Sequence, residues 1–266
     1  MGKRIVFLDR DGTVNEEMDL LKEKDELRLI PGSAEGIRIL NENGFLVVIV
    51  TNQPQVARGL CTEGEVREIN KALEGMLRGK GARIDAIYYC PHHPDKGYLG
   101  ENPAYKIECE CRKPKAGMLK EAAKRFGAEL KDCFVVGDRT VDVQTAKNAG
   151  CKSILVRTCY AGKDGKHDAK PDYTCENLLE AAKLISLEGM NAVIIAGGKG
   201  KRLAPLTETV PKPMLPLSGK PMLEHTVEWL RHEGIRKIIV CSGYLSEKIE
   251  GYFGDGSLGE SLLSRN

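Results

Sequence analysis

Phe7-Leu8-Asp9-Arg10-Asp11-Gly12-Thr13-Val14-Asn15 fixes the reading of this chain. The stretch overlaps the end of the apolar run Ile5 to Leu8 and places two carboxylates two residues apart just past a strand. Side chains alternate with period two along a strand, so Asp9 and Asp11 point to the same side. One such carboxylate can attack phosphorus and form an acyl phosphate that water later hydrolyses. The other can carry a proton to the leaving oxygen and take one from that water. Gly12 allows a tight exit from the strand, and Thr13 offers a hydroxyl to fix the loop. A solvated Asp-Gly turn after an edge strand fits the same residues, so the rest of the chain has to choose.

Further along, polar clusters recur at strand ends. Pro31-Gly32-Ser33 starts a helix closed by Asn43-Gly44. The run Phe45 to Val50 has the near-continuous apolar character of a parallel strand covered on both faces, and it delivers Thr51-Asn52-Gln53. Thr62 to Arg78 reads as a helix, Ile84 to Tyr89 as a strand, Lys115 to Phe126 as a helix, and Cys133 to Val136 as a strand that delivers Gly137-Asp138. Thr140 to Ala149, Lys152 to Val156 and Cys175 to Leu187 continue as helix, strand and helix. This alternation predicts an α/β fold with a doubly wound parallel sheet, because parallel neighbours need right-handed helical crossovers. Ligands bind beyond the carboxyl ends of such strands, where Asp9, Thr51 and Asp138 all fall.

Composition sets the outer limits. At 266 residues and 41% hydrophobic content the chain can build one large domain or two. Forty basic against thirty-eight acidic residues leave a formal net charge of +2. From Gly189 onward ten basic residues face eight acidic ones, and thirty face thirty before it, so neither part has the basic excess of a nucleic-acid binder. No apolar run approaches a membrane span, and Met1-Gly2-Lys3-Arg4 leads into a strand without a cleavage site, so a cytoplasmic monomer is expected. Nine cysteines in such a chain point to metal binding before disulfides.

Cys90 to Cys111 is a long insertion rich in proline and glycine, and so long a loop is usually functional. Cys90-x-His92 and, sixteen residues on, Cys109-x-Cys111 supply three thiolates and an imidazole, the set of a closed structural zinc site. His93 is an alternate ligand, and ordinary surface cysteines and histidines are the competing reading. A structural Zn2+ can order a loop too polar to bury its own core. Cys61, Cys133, Cys151 and Cys241 lie in or beside apolar runs and read as buried small side chains.

Taken in order, these clusters resemble the haloacid dehalogenase superfamily of phosphatases over residues 1–187. Asp9-x-Asp11-Gly-Thr13 is similar to its nucleophile motif, Thr51 to its phosphate-binding hydroxyl, Lys113 to its phosphate-binding lysine, and Gly137-Asp138 with Asp142 to its acidic metal motif. The resemblance implies that Asp9 is the nucleophile and Asp11 the general acid/base. It implies Mg2+ held by Asp9, the Asp11 backbone carbonyl and Asp138, which neutralises a phosphate that otherwise repels the attacking carboxylate. Thr51, Asn52 and Lys113 would hold the phosphoryl oxygens as charge spreads onto them. The long loop resembles the zinc loop of the heptose bisphosphate phosphatases and of their relatives, the histidinol phosphatases. Asp9-Arg-Asp-Gly-Thr-Val-Asn15 and Cys111-Arg112-Lys113-Pro114 favour the heptose enzymes, which implies a sugar bisphosphate as substrate, with Arg112 on its distal phosphate or hydroxyls. Pro54-Gln55 stands where those enzymes usually carry Ser-Gly.

The rhythm restarts at Glu188-Gly189-Met190, which predicts a second domain over residues 190–266. The strand Ala192 to Ile195 is followed by Ala196-Gly-Gly-Lys-Gly-Lys-Arg202, and then by Pro211-Lys-Pro213 and Gly219-Lys-Pro221. A glycine-rich turn after a strand offers backbone N–H groups to a nucleotide's phosphates. The spaced pieces resemble the sugar-phosphate nucleotidyltransferases, which implies nucleoside triphosphate contacts at Gly197, Gly198, Arg202 and Lys212. Lys201 replaces the threonine usual in that motif. Strands Ala192 to Ile195 and Lys237 to Cys241 are expected to form an incomplete sheet, and the tail from Gly254 to lose the strand pattern. The acidic residues that hold the metal in the resembling enzymes lie further on, so this part is expected not to transfer nucleotide.

Overall fold

All four residues of β1 (Ile5–Leu8) are fully buried, as a strand covered on both faces must be. The computed structural model describes residues 2–18, 21, 23–233, 235, 237–254 and 261–265. The chain divides into two compact units, Met1–Ser186 and Leu187–Asn266.

In the first unit β1 is followed by α1 (Ser33–Glu42), β2 (Leu46–Asn52), α2 (Glu63–Arg78), β3 (Ala86–Cys90), α3 (Gly117–Phe126), β4 (Phe134–Gly137), α4 (Thr140–Ala149), β5 (Lys152–Val156), β6 (Tyr173–Cys175) and α5 (Leu178–Leu187). The six strands form one parallel sheet in the order β3-β2-β1-β4-β5-β6. Alternation along the strands divides the core in two. Val6, Leu8, Val47, Ile49, Phe134 and Val136 pack with Ile37 and Leu40 of α1, Ile69 and Leu73 of α2, and Ile185 of α5. Ile5, Phe7, Val48, Val50 and Val135 face the other way, onto Met118 and Leu119 of α3 and Ala146 of α4. Helix α2 starts where its sequence says it should. Thr62 Oγ1 accepts from the Glu65 N–H at 3.2 Å, and Glu65 accepts from the Thr62 N–H at 2.7 Å, a reciprocal cap.

β1 has β2 on one side and β4 on the other, so the chain order reverses there. The crevice beyond its carboxyl end is the natural ligand site of this topology.

Several boundaries move by one or two residues, as where β2 extends through Thr51 and Asn52, and two differences stand out. The third strand runs Ala86–Cys90, later than expected. Residues 173–175, whose last member was assigned to a helix, form a sixth strand that pairs Ile154 with Tyr173. Three residues are too few to show a period. Their place is fixed by Asp172, whose carboxylate accepts from the Ser153 N–H (2.8 Å) and hydroxyl (2.7 Å). Cys133 and Cys151 are buried as expected, whereas Cys61 and Cys241 are only partly so.

The second unit holds β7 (Asn191–Ala196), a short hairpin of β8 (Pro216–Leu217) and β9 (Lys220–Pro221), α6 (Met222–His232), β10 (Lys237–Ser242), α7 (Ser246–Phe253) and β11 (Ser261–Arg265). A parallel three-stranded sheet in the order β11-β10-β7 packs Ile238 and Val240 against Leu223, Val227, Ile249 and Phe253. The expected loss of strand pattern in the tail is corrected here, because Ser261–Arg265 pairs with Ile238–Ser242. Residues 255–260 of that tail lie outside the described residues. Among the described residues no helix is long and apolar enough to cross a membrane.

Candidate active site

Leaving β1, the chain is held at Asp9 by its N–H, which donates to the Val136 carbonyl of β4 at 2.9 Å. The turn that follows is tied by N–H groups of Val14 (2.9 Å) and Asn15 (3.1 Å) donating to the Arg10 carbonyl. Gly12, at φ +84°, lies against Asp138. A Cβ there would sit 2.6 Å from Asp138 Oδ2, so no other residue fits without moving the carboxylate. The Thr13 hydroxyl, expected to fix this loop, does not: its Oγ1 is buried without a protein partner. The loop is instead fastened from outside, by the Thr158 hydroxyl donating to the Gly12 carbonyl at 2.5 Å.

Asp9 is buried and accepts from Lys113 Nζ at 2.9 Å and from the Arg10 N–H at 2.8 Å. Lys113 Nζ also meets Asp142 Oδ1 at 2.6 Å. Burial alone would lower the pKa of Lys113, but the Asp142 and Asp9 carboxylates outweigh it and hold it above its ordinary value, so the ammonium stays charged. Asn52 reaches Lys113 through the backbone. Its Oδ1 accepts from the Lys113 N–H (3.0 Å) and its Nδ2 donates to the Lys113 carbonyl (3.1 Å). The amide assigned above to phosphate therefore also positions the lysine. Thr51 is buried, and its hydroxyl oxygen accepts from Gln53 Nε2 at 2.9 Å.

Asp9, Asp138 and Asp142 bring carboxylate oxygens within 4.8 Å of one another, all three buried. Gly137 permits this crowding, because a Cβ there would lie 2.3 Å from the Asp142 carboxylate. Asp138 accepts from the Tyr160 N–H at 3.0 Å through one oxygen, while the other is buried with no protein partner. Burial, Asp9 and Asp142 push its pKa up to about 8. Three clustered carboxylates, two of them paired with Lys113 and the third with an unpartnered oxygen, suit a hard divalent cation. The sequence reading had Asp142 in the motif but not among the ligands. Asp11 is kept on the opposite footing. Burial would raise its pKa, but the Arg10 charge and hydrogen bonds from Arg10, Asn15 and Gln53 hold it below the usual carboxylate range.

Asp9, Asp11, Thr51, Asn52, Arg112 and Lys113 line one cleft of about 410 Å3. Arg58, His93, Arg139 and Tyr160, which sequence reasoning missed, line it too. Arg139 pairs with Glu17 and lies over the Tyr160 ring at 3.8 Å. Arg58, His93 and Arg139 each follow a recognised motif by a few residues, whereas Tyr160 follows none.

The predicted metal-binding loop does converge. Sγ of Cys111 lies 3.2 Å from that of Cys90 and 3.3 Å from that of Cys109, Cys90 and Cys109 are 3.5 Å apart, and Cys111 is 3.4 Å from His92 Nδ1. A tetrahedral ion with metal–sulfur bonds of about 2.3 Å has edges of roughly 3.8 Å, so the four ligands stand slightly inside the spacing they would take around zinc. His93, the alternate, points elsewhere: it lines the cleft, its Nε2 3.5 Å from Arg58. Arg112 Nη1 donates to the His92 carbonyl at 2.9 Å, which ties the cysteine cluster to the cleft.

In the second unit Gly197 follows β7 and its carbonyl accepts from the Tyr244 N–H at 3.2 Å. Lys212 comes back to this loop, since a Cβ on Gly200 would lie 3.2 Å from that of Lys212. Gly198 and Arg202 flank the same turn, Arg202 exposed.

Two family models match. A HAD-hydrolase-like model covers residues 110–181 and a nucleotidyl transferase model residues 191–263. A D-glycero-beta-D-manno-heptose-1,7-bisphosphate 7-phosphatase of Pasteurella multocida is 39% identical over 188 residues, 69% of this chain and 97% of that protein. A D-glycero-D-manno-heptose-1,7-bisphosphate 7-phosphatase of Thermosynechococcus vestitus is 35% identical, covering 70% and 96%. Among solved structures, the D,D-heptose 1,7-bisphosphate phosphatase of B. bronchiseptica, crystallised with magnesium and phosphate, is 35% identical with a TM-score of 0.58, over 67% of this chain and 96% of that one. A HAD-like phosphatase structure from Mesorhizobium loti is 30% identical with a TM-score of 0.59, over 71% and 90%.

Lys113→Met removes the one ammonium between Asp9 and Asp142 and should destabilise the first unit by about 3–5 kcal/mol, because it strands buried charge. Urea unfolding followed by circular dichroism measures this. A cost under about 1 kcal/mol would mean that the carboxylates do not need the lysine.

Proposed function

The chain belongs to the haloacid dehalogenase-like phosphatases, in the family of the heptose-1,7-bisphosphate 7-phosphatases, and on that premise we propose that it removes the C7 phosphate of D-glycero-D-manno-heptose 1,7-bisphosphate to leave heptose 1-phosphate. The observation that carries this reading is the pairing of Asp9 and Asp11 on one cleft, the first held by a lysine and the second by an arginine, so that two neighbouring carboxylates have different environments.

Asp9 attacks phosphorus and forms an aspartyl phosphate as the bond to the C7 oxygen breaks. Asp11 delivers a proton to that oxygen, then takes one from the water that hydrolyses the aspartyl phosphate. Its resting form is ionised, so the proton has to arrive with the substrate, either on a phosphate monoanion or because the adjacent phosphate charge raises the pKa of Asp11. Lys113 and Thr51 hold the phosphoryl oxygens, and Lys113 turns from the Asp9 carboxylate to the phosphoryl group that Asp9 now carries. Asn52 keeps the lysine in place through its backbone. Arg112 meets the distal phosphate or the sugar hydroxyls.

Mg2+ is proposed at Asp9, Asp138 and the Asp11 backbone carbonyl, a reading supported by the clustered carboxylates and the unpartnered Asp138 oxygen. When bound, it supplies the positive charge that lets a carboxylate approach a phosphate. Zn2+ is proposed at Cys90, His92, Cys109 and Cys111 as a structural ion, on the spacing of the four ligand atoms and the soft sulfur donors that three of them supply. For the second unit the proposal is limited to triphosphate contacts at Gly197, Gly198, Arg202 and Lys212.

The deciding experiment is phosphate release from a panel of both heptose 1,7-bisphosphate anomers and histidinol phosphate. Preference for a heptose bisphosphate is expected, and preference for histidinol phosphate would overturn the reading. Asp9→Asn should lower turnover by about 1000-fold or more with the fold intact, and activity within about tenfold of wild type would remove Asp9 as nucleophile. Elemental analysis of protein purified without added metal should find one zinc per chain. A metal-free protein in which all three loop cysteines are rapidly alkylated would contradict the zinc assignment.

A further inference from the structure

Arg10 separates the two aspartates in sequence, and no step of the proposed reaction uses it. Yet its side chain is the largest fully buried one among the described residues, at 0% exposure. Its Nε and Nη2 donate to the two oxygens of Asp11 at 3.1 and 2.9 Å, a bidentate grip. Nη2 also donates to Gln53 Oε1 at 2.8 Å, and Nη1 to Asn70 Oδ1 at 2.9 Å. Burying a guanidinium is costly unless its donors are met, and here four contacts engage four of its five N–H groups.

Asn70 lies on the buried face of α2, between Ile69 and Leu73 of the core, and is itself 7% exposed. Helix α2 is thus joined to the cleft by an unbroken series of polar contacts: Asn70 holds Arg10, and Arg10 holds Asp11. A planar fork on a planar carboxylate fixes both distance and plane, which an ammonium cannot do.

We infer that Arg10 is a positioning residue that aims the Asp11 carboxyl at the leaving oxygen, and that Asn70 anchors it to α2. The inference rests on the reading of Asp11 as the proton carrier. A purely structural Arg10 would serve only to neutralise a buried charge, and its loss would then affect all substrates and both half-reactions alike.

p-Nitrophenyl phosphate separates the two. Its leaving group departs without a proton, so formation of the aspartyl phosphate from it does not need Asp11, whereas formation from a sugar phosphate does. The variants are Arg10→Lys, Asn70→Ala, Asn70→Asp and Asp11→Asn in the full chain. Each is compared in the nitrophenolate burst rate and in steady-state kcat and KM on the heptose bisphosphate. Arg10→Lys and Asn70→Ala should lower kcat on the bisphosphate by about tenfold or more, with KM and the burst rate within about threefold of wild type. Asn70→Asp, which keeps the acceptor for Nη1, should return kcat to within about threefold of wild type.

Equal losses in burst rate and bisphosphate turnover would overturn the inference, as would failure of Asn70→Asp to rescue. Asn70→Ala keeps the test open if Arg10→Lys does not fold. If Asp11→Asn itself slows the burst as much as the bisphosphate reaction, the proton-carrier reading is what has failed, and the inference falls with it. If Asp11→Asn shows the selective loss and Arg10→Lys and Asn70→Ala do not, the inference alone is overturned.

Discussion

Crowded negative charge is the constraint on which the cleft depends. Asp9, Asp138 and Asp142 are buried with oxygens inside 4.8 Å of one another. Two carboxylates at such a distance repel by roughly 3 to 4 kcal/mol at an effective dielectric constant near 20. Lys113 answers part of this, between Asp9 and Asp142. Asp138 forms no ion pair with that ammonium, and burial first, then Asp9 and Asp142, raises its pKa. The surrounding backbone is shaped to tolerate the crowding: Gly12 and Gly137 lack the Cβ atoms that would strike Asp138 and Asp142, and Asn52 fixes the segment that presents the lysine.

The sheet was legible in the sequence because a parallel strand buried on both faces leaves an unbroken apolar run, as Phe45 to Val50 does. β6 was not, since three residues paired through Asp172 leave no pattern. In the cleft, Asp9, Asp11, Thr51, Lys113 and Asp138 could be found because each stands at a strand end or beside a motif. Arg58, His93, Arg139 and Tyr160 could not, because it is loop geometry that gathers them. Arg10 is the instructive case. It sits in the stretch from which the reading began, but its use is defined by Asn70, 60 positions away, and no local pattern links the two.

The cysteine cluster and the cleft share a short segment. Cys111, Arg112 and Lys113 are consecutive: the first belongs to the cluster, the second reaches back to the His92 carbonyl, and the third stands against Asp9. His92 and His93 divide the same way, one to the cysteines and one to the cleft. Whatever orders the cluster therefore orders the cationic side of the cleft, so a loop too polar to pack a core can still present charged groups at fixed positions.

The surroundings of Asp11 have a consequence for timing. A carboxylate offers about four lone-pair directions. Arg10 Nε and Asn15 Nδ2 take those of Oδ1, and Arg10 Nη2 and Gln53 Nε2 those of Oδ2. The group is saturated, and an incoming proton has no vacant place. It can enter only as a donor withdraws, and a buried donor left alone costs about 1–3 kcal/mol. Arg10 is anchored twice over, whereas the Asn15 and Gln53 amides each have a second acceptor, the Glu16 carbonyl and the Thr51 hydroxyl. An amide is therefore the donor that yields, and if Asp11 carries the proton as proposed, each transfer is exchanged for a side-chain displacement. On that role of Asp11, proton transfer is gated by the motion as well as by acidity, and the displacement falls on side chains whose hydrogen bonds go to neither Asp9 nor Asp138.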